Sequence, residues 1–133
     1  IQTCALPIST EYLGWIEYAV AGMMVRGNID AMAYAIQHLP NEAPMLEIGS
    51  FCGKSTVVLA YLKEKHNISN RLFTCDRWNF EGQQLGARLG DSRSVTHETY
   101  RTHVRESYLR NAQTFCKELP YTIEVFSDEF FAQ

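Results

Sequence analysis

Residues Leu46 to Thr56 read LEIGSFCGKST, the end of an apolar run, a small-residue turn and the opening of a helix-forming segment. The apolar run starts at Ala43 and is short enough for a strand, while Lys54 to Lys65 has the composition of a helix, so the unit reads strand, glycine turn, helix. Gly49 and Gly53 serve that turn in two ways: they admit positive φ, and they leave no Cβ between the backbone and a ligand. The amides that open the helix have no intrahelical acceptor and suit a carboxylate or a phosphate.

The tail GKST also ends the nucleotide phosphate loop, which makes an ATPase or kinase the competing reading. That loop needs four residues between its glycines. Gly49 and Gly53 have three between them, and Ile48 stands where a glycine is required. A loop one residue shorter would not wrap a β-phosphate in the same way. The dinucleotide fingerprint fails as well, because Phe51 occupies the place of its second glycine.

Upstream of this unit, Leu13, Ile16, Ala19, Val20 and Met23 or Met24 recur close to a 3.6 period and predict an amphipathic helix over Glu11 to Val25, stopped by Gly27. Asn28 is placed to cap a second helix, whose apolar face carries Ile29, Met32, Ala33, Ile36 and Leu39 before Pro40 ends it. Residues 9–42 are thus two short helices leading into the core. The stretch Gln2 to Ile8, QTCALPI, resembles the in-frame translation of a sequencing-library adapter; residues 1–8 are read as non-native and kept out of fold reasoning.

Downstream, Arg71 to Trp78, RLFTCDRW, follows the turn formers Asn67 and Asn70 and reads as a second strand, which completes a βαβ unit. Residues 79–95 shift to Gly, Gln, Arg, Asp and Ser and predict a long loop of the kind that carries function. A third helix opens at Thr96 or His97 and runs to about Leu119, where Pro120 closes it. Tyr121 to Phe126, YTIEVF, is the last strand, with Ser127 and Asp128 able to cap a helix from Glu129 onward. Residues 43–133 therefore predict an α/β fold, a Rossmann-like open and mostly parallel sheet with flanking helices.

The 133 residues are 46% apolar, enough for one modest core, and the formal net charge is -3 without any run of Lys or Arg. Neither nucleic acid nor an anionic membrane is signalled, and no apolar stretch approaches the roughly 20 residues that span a bilayer. A soluble, cytoplasmic protein with a small-molecule partner is the expectation. Cys4, Cys52, Cys75 and Cys116 form no CxxC pair and have no histidine at ligand spacing, so they predict reduced thiols rather than a zinc site or a disulfide framework. His97 and His103 are six apart and do not share a helix face, so no metal is expected from them either.

The segment Glu47 to Gly53, an acid followed by G-x-x-x-G, resembles the first motif of class I S-adenosylmethionine-dependent methyltransferases. The resemblance implies that Glu47 lies near the cofactor's amino group and that the turn, Gly49, Ser50, Phe51 and Gly53, with Ser55 and Thr56 opening the helix, runs under its carboxypropyl tail and ribose. Asp76 stands 29 residues after Glu47 at the end of the second strand. The family places there an acid that accepts from both ribose hydroxyls, chemistry that one carboxylate can perform. Cys75 to Gly82, CDRWNFEG, is similar to the sequence after the second strand in macrocin O-methyltransferase-like enzymes, although Arg77, Trp78 and Asn79 separate Asp76 from Phe80. Arg77 and Trp78 join the candidate cofactor residues on this ground; Trp78 either stacks near the adenine or caps the core. Ser127 and Asp128 take the place of the pair that contacts the adenine in the family.

The resemblance covers Pro44 to Gln133. It implies about three strands of a seven-stranded domain, the cofactor-binding portion of an enzyme that methylates a small-molecule or sugar-like hydroxyl. The base, or a divalent metal, would be held by residues beyond the chain end, so no catalytic residue is named. A non-catalytic module of the same fold is the third reading.

Overall fold

The computed structural model describes residues 11–79 and 84–132; the adapter-like segment 1–8 and the centre of the CDRWNFEG similarity, residues 80–83, lie outside the described residues. Its elements in chain order are α1 (Glu11–Ala19), α2 (Arg26–Gln37), β1 (Met45–Ile48), α3 (Lys54–Lys65), β2 (Leu72–Cys75), α4 (His97–Phe115), β3 (Tyr121–Ile123) and α5 (Ser127–Phe131). The strands form one parallel sheet in the order β1-β2-β3. This is the open α/β architecture expected from the sequence, with each strand joined to the next by a crossover helix.

Alternation along the strands divides the sheet into two unlike faces. Glu47, Thr74 and Thr122 stand side by side in register on the face toward the helices. There Glu47 meets α3, and the Tyr108 hydroxyl of α4 bonds both Thr74 (2.6 Å) and Thr122 (2.8 Å). On the other face Phe73 stacks on Tyr121 at 4.9 Å, and Ile48 and Tyr121 stay about half exposed. The core is accordingly one-sided: α1, α2 and α4 gather around α3, and Ile16, Val20, Val57, Val58, Leu62, Val104 and Tyr108 are fully enclosed. Buried Asn70 ties the lower ends of β1 and β2 together by donating to the carbonyls of Asn41 (2.9 Å) and Ala43 (2.7 Å).

Several boundaries differ from the periodicity. α1 stops at Ala19 rather than Val25, because residues 20–25 turn onto the start of α3: Val20 is buried, Met23 is exposed, and a Cβ at Gly22 would stand 2.6 Å from that of Lys54. Gly27 is no stop; it lies inside the first turn of α2, and Asn28 caps from its third position, its Oδ1 accepting the Val25 N–H at 3.1 Å. α4 begins where expected, capped by Thr96, whose side chain accepts the Thr99 N–H, and ends at Phe115, four residues before the predicted Leu119. Between β2 and α4, residues 84–96 fold back on themselves through Leu89 N–H to Val95 O and His97 N–H to Ala87 O, and the Glu98 carboxylate pins them by accepting the Gly86 N–H at 2.7 Å.

No helix among the described residues is long and apolar enough to cross a membrane.

Candidate cofactor site

The glycine turn sits at the carboxyl end of β1 and the Asp76 segment at the carboxyl end of β2, neighbouring positions in the parallel sheet. In an open parallel sheet this rim is where ligands bind. Gly49 (φ +80°) and Gly53 (φ +93°) both occupy the left-handed region that favours glycine. Around Gly49 a Cβ would meet nothing within 4 Å, whereas at Gly53 it would stand 3.2 Å from Cδ2 of Tyr108. The first glycine therefore keeps open space above the backbone, and the second lets α4 close on the turn. Gly53 N–H donates to Ser50 O (2.8 Å), Gly49 N–H to Cys75 O (2.9 Å), and the Asn111 side chain to Cys52 O (2.9 Å), so neighbouring elements brace the turn.

The first amide of α3 to find a carbonyl is that of Val57, on Gly53 O at 2.9 Å. Those of Lys54, Ser55 and Thr56 have no carbonyl acceptor among the described residues. Ser50 is buried, and among the described residues its hydroxyl has no hydrogen-bond partner. Unpaired amides at a helix start, an orphaned hydroxyl and open space over Gly49 fit the anionic end of a small ligand.

Glu47 is tied to the helix that follows it. Both carboxylate oxygens accept hydroxyl hydrogen bonds from α3, one from Ser55 and one from Thr56. The side chain is buried, and burial pushes its carboxyl above the ordinary range, against the lowering effect of the two hydroxyls and with a further rise from the Asp76 charge. Glu47 thus fastens α3 to β1, and the Ser55 and Thr56 side chains face it rather than the turn. What those two residues leave for a ligand is their backbone amides.

Asp76 follows β2 directly, and its N–H still reaches across to Ile123 O at 3.1 Å. Its carboxylate accepts the Phe51 N–H (2.8 Å) and the Trp78 N–H (2.7 Å), one on each oxygen. Phe51 (φ +49°) and Trp78 (φ +51°) are bulky residues in the left-handed region, a strained arrangement that clusters at functional sites. A carboxylate has about four acceptor positions, so two remain for outside donors such as a pair of vicinal hydroxyls.

Trp78 resolves toward the core: it is 2% exposed, its ring tilts against Tyr108 at 5.1 Å, and its Nε1–H donates to Phe51 O at 2.8 Å. Its indole is therefore not offered to an adenine in this structure. Arg77 lies over the Phe126 ring at 4.0 Å, which brings the segment after β2 against the one after β3. Ser127 and Asp128 do not cap a later helix; α5 begins at Ser127 with Phe126 preceding it, Ser127 half-buried and Asp128 exposed. No bond joins either residue to the Asp76 turn. The sequence reading missed Phe126, Asn111 and Tyr108, which brace the site from other elements, and the Glu124 carboxylate, which bridges Arg101 and Arg105 of α4 at 2.9 Å each. Alternation and motif spacing report neighbours along one element, and these contacts span 14 to 59 residues.

Among the described residues no three His, Cys, Asp or Glu side chains gather as a metal site. Cys52, Cys75 and Cys116 are buried free thiols; burial, aided by the Glu47 charge, pushes Cys116 up to about 11, and burial raises the other two. No protein-family model matches this chain, and no curated protein matches it.

Proposed function

We propose that this chain binds S-adenosylmethionine and forms the cofactor-holding portion of a methyltransferase acting on a small-molecule or sugar-like hydroxyl. The observation that carries the reading is the juxtaposition of the open Gly49 turn with the Asp76 carboxylate on adjacent parallel strands. The α3 amides suit the carboxylate of the methionine end, and Asp76 has acceptor positions for two ribose hydroxyls. Bound there, the cofactor supplies an electrophilic methyl group. The chain's own part is to hold and orient it, since methyl transfer depends on aligning nucleophile, methyl carbon and sulfur. Arg77, next to Asp76, lies over the Phe126 ring, and Ser127 and Asp128 follow Phe126 in the chain.

Isothermal calorimetry with S-adenosylmethionine and, separately, with ATP and Mg²⁺ tests this function. Heat of binding from S-adenosylmethionine that is abolished in Gly49→Val is the expected result. Binding of ATP alone would establish the phosphate-loop reading instead, and binding of neither would favour a non-catalytic module.

A further inference from the structure

At the other end of the sheet from the glycine turn, the last turns of α3, the start of β2 and the link from α4 to β3 enclose a groove of about 430 Å³. That volume is in the range of small-molecule sites, roughly 300 to 1,000 Å³. Its walls are apolar at Leu72, Leu119 and Tyr121 and cationic at Lys63 and Lys117.

Lys63 is the informative residue. Its stem is buried, the residue being 9% exposed, while its ammonium keeps contact with solvent, and among the described residues no carboxylate, carbonyl or hydroxyl accepts from it. A lysine with a buried stem and a solvated head has a fixed position and an ammonium free to take an anion. The last turn of a helix favours a cation through its dipole, which accounts for the sign of the charge but supplies no counterion. Of the two carboxylates at the groove, Glu64 is drawn to Lys117 at 3.8 Å and Glu118 is exposed on the rim, so neither neutralises Lys63.

We propose that this groove is a second binding site, for a small amphipathic anion: an aromatic or aliphatic body against Leu72, Leu119 and Tyr121, with one carboxylate or phosphate head on Lys63. The site is independent of the cofactor reading. α3 separates the two, and its 12 residues at about 1.5 Å each make some 18 Å. Carboxylate and phosphate share the chemistry that Lys63 recognises, so both heads enter the test.

Phenyl phosphate and benzoate, titrated separately into the ¹⁵N-labelled full chain, are the probes, with benzyl alcohol as the uncharged comparison. The expected result is saturable amide shifts confined to residues 60–72 and 117–121, with the residues of the glycine turn unmoved. The stronger-binding head identifies the acid class. Lys63→Met should weaken that binding by at least about tenfold, the scale of a lost hydrogen bond to a charged group. Leu119→Glu, at an exposed position on the wall, should weaken it as well and serves if Lys63→Met does not fold. Absence of shifts at the groove, equal binding of benzyl alcohol, or unchanged affinity in the folded variants would overturn the proposal.

Discussion

The Asp76 carboxylate accepts the backbone N–H of Phe51 at 2.8 Å, so a side chain at the end of β2 holds the turn that follows β1. The same carboxylate takes the Trp78 N–H, and Trp78 returns a bond to Phe51 O, which closes a ring of three hydrogen bonds around two left-handed residues. Each such residue costs about 1–2 kcal/mol of backbone energy, and hydrogen bonds to a charged acceptor contribute about 1.5–3 kcal/mol, enough to hold the arrangement.

Asp76→Ala is expected to weaken S-adenosylmethionine binding by roughly 1–3 kcal/mol and to lower the thermal midpoint as well, since Phe51 and Trp78 lose their shared acceptor. Calorimetry measures the first effect and a melting scan the second. Unchanged affinity would remove Asp76 from the site; unchanged stability would show that the ring contributes nothing to folding.

The two glycines of the turn should fail differently. Gly49→Val places a β-branched residue at φ +80° in open space, and the expected outcome is loss of cofactor binding while helical circular dichroism persists. Gly53→Ala adds a Cβ 3.2 Å from the Tyr108 ring at φ +93°, so the variant should lose about 1–3 kcal/mol in urea unfolding, more than Gly49→Ala. Equal losses for the two alanine variants would show that Tyr108 yields freely.

Glu47 links the fold to pH. Burial raises its folded-state carboxyl above the ordinary 4.5, so between 4.5 and that raised value the folded chain holds a proton the unfolded chain has released. Stability from this group therefore falls as pH rises through the window and levels off above it. Glu47→Gln removes the dependence and can still bond both Ser55 and Thr56. The stability of the variant relative to the parent should climb as pH rises above 4.5 and level off past the raised value, read in urea titrations at a series of pH values. A flat difference would show that the Glu47 carboxyl is not raised.

The turn and its helix were legible because their signals are local. Gly49 and Gly53 mark the breaks, and α3 occupies the predicted Lys54–Lys65. α1 misled because Val20 is buried like a helical position while the chain has already left the helix to pass over Lys54. Trp78 could not be assigned from its neighbours, since its anchor is the Phe51 carbonyl 27 residues earlier. Glu47 sits in the motif that names a cofactor contact, and the hydroxyls that bond it stand eight and nine residues on, in the first turn of α3. Spacing placed Glu47, Gly49, Gly53 and Trp78 near the carboxyl end of the sheet; only tertiary packing set what each side chain touches.

The last test separates the scaffold from the site. The Tyr108 hydroxyl is buried between Thr74 (2.6 Å) and Thr122 (2.8 Å), and the two threonine hydroxyls also bond each other at 3.2 Å. Tyr108→Phe keeps the ring beneath Gly53 and leaves each threonine one partner, so the loss of stability should be only about 1 kcal/mol. Thr74→Val leaves Tyr108 bonded to Thr122 alone, and the double variant should lose less than the sum of the single ones, because the second change removes a bond already broken. None of these hydroxyls belongs to the turn, so cofactor affinity in the three variants should match the parent's. A binding defect in Tyr108→Phe would place the polar row inside the site rather than beneath it.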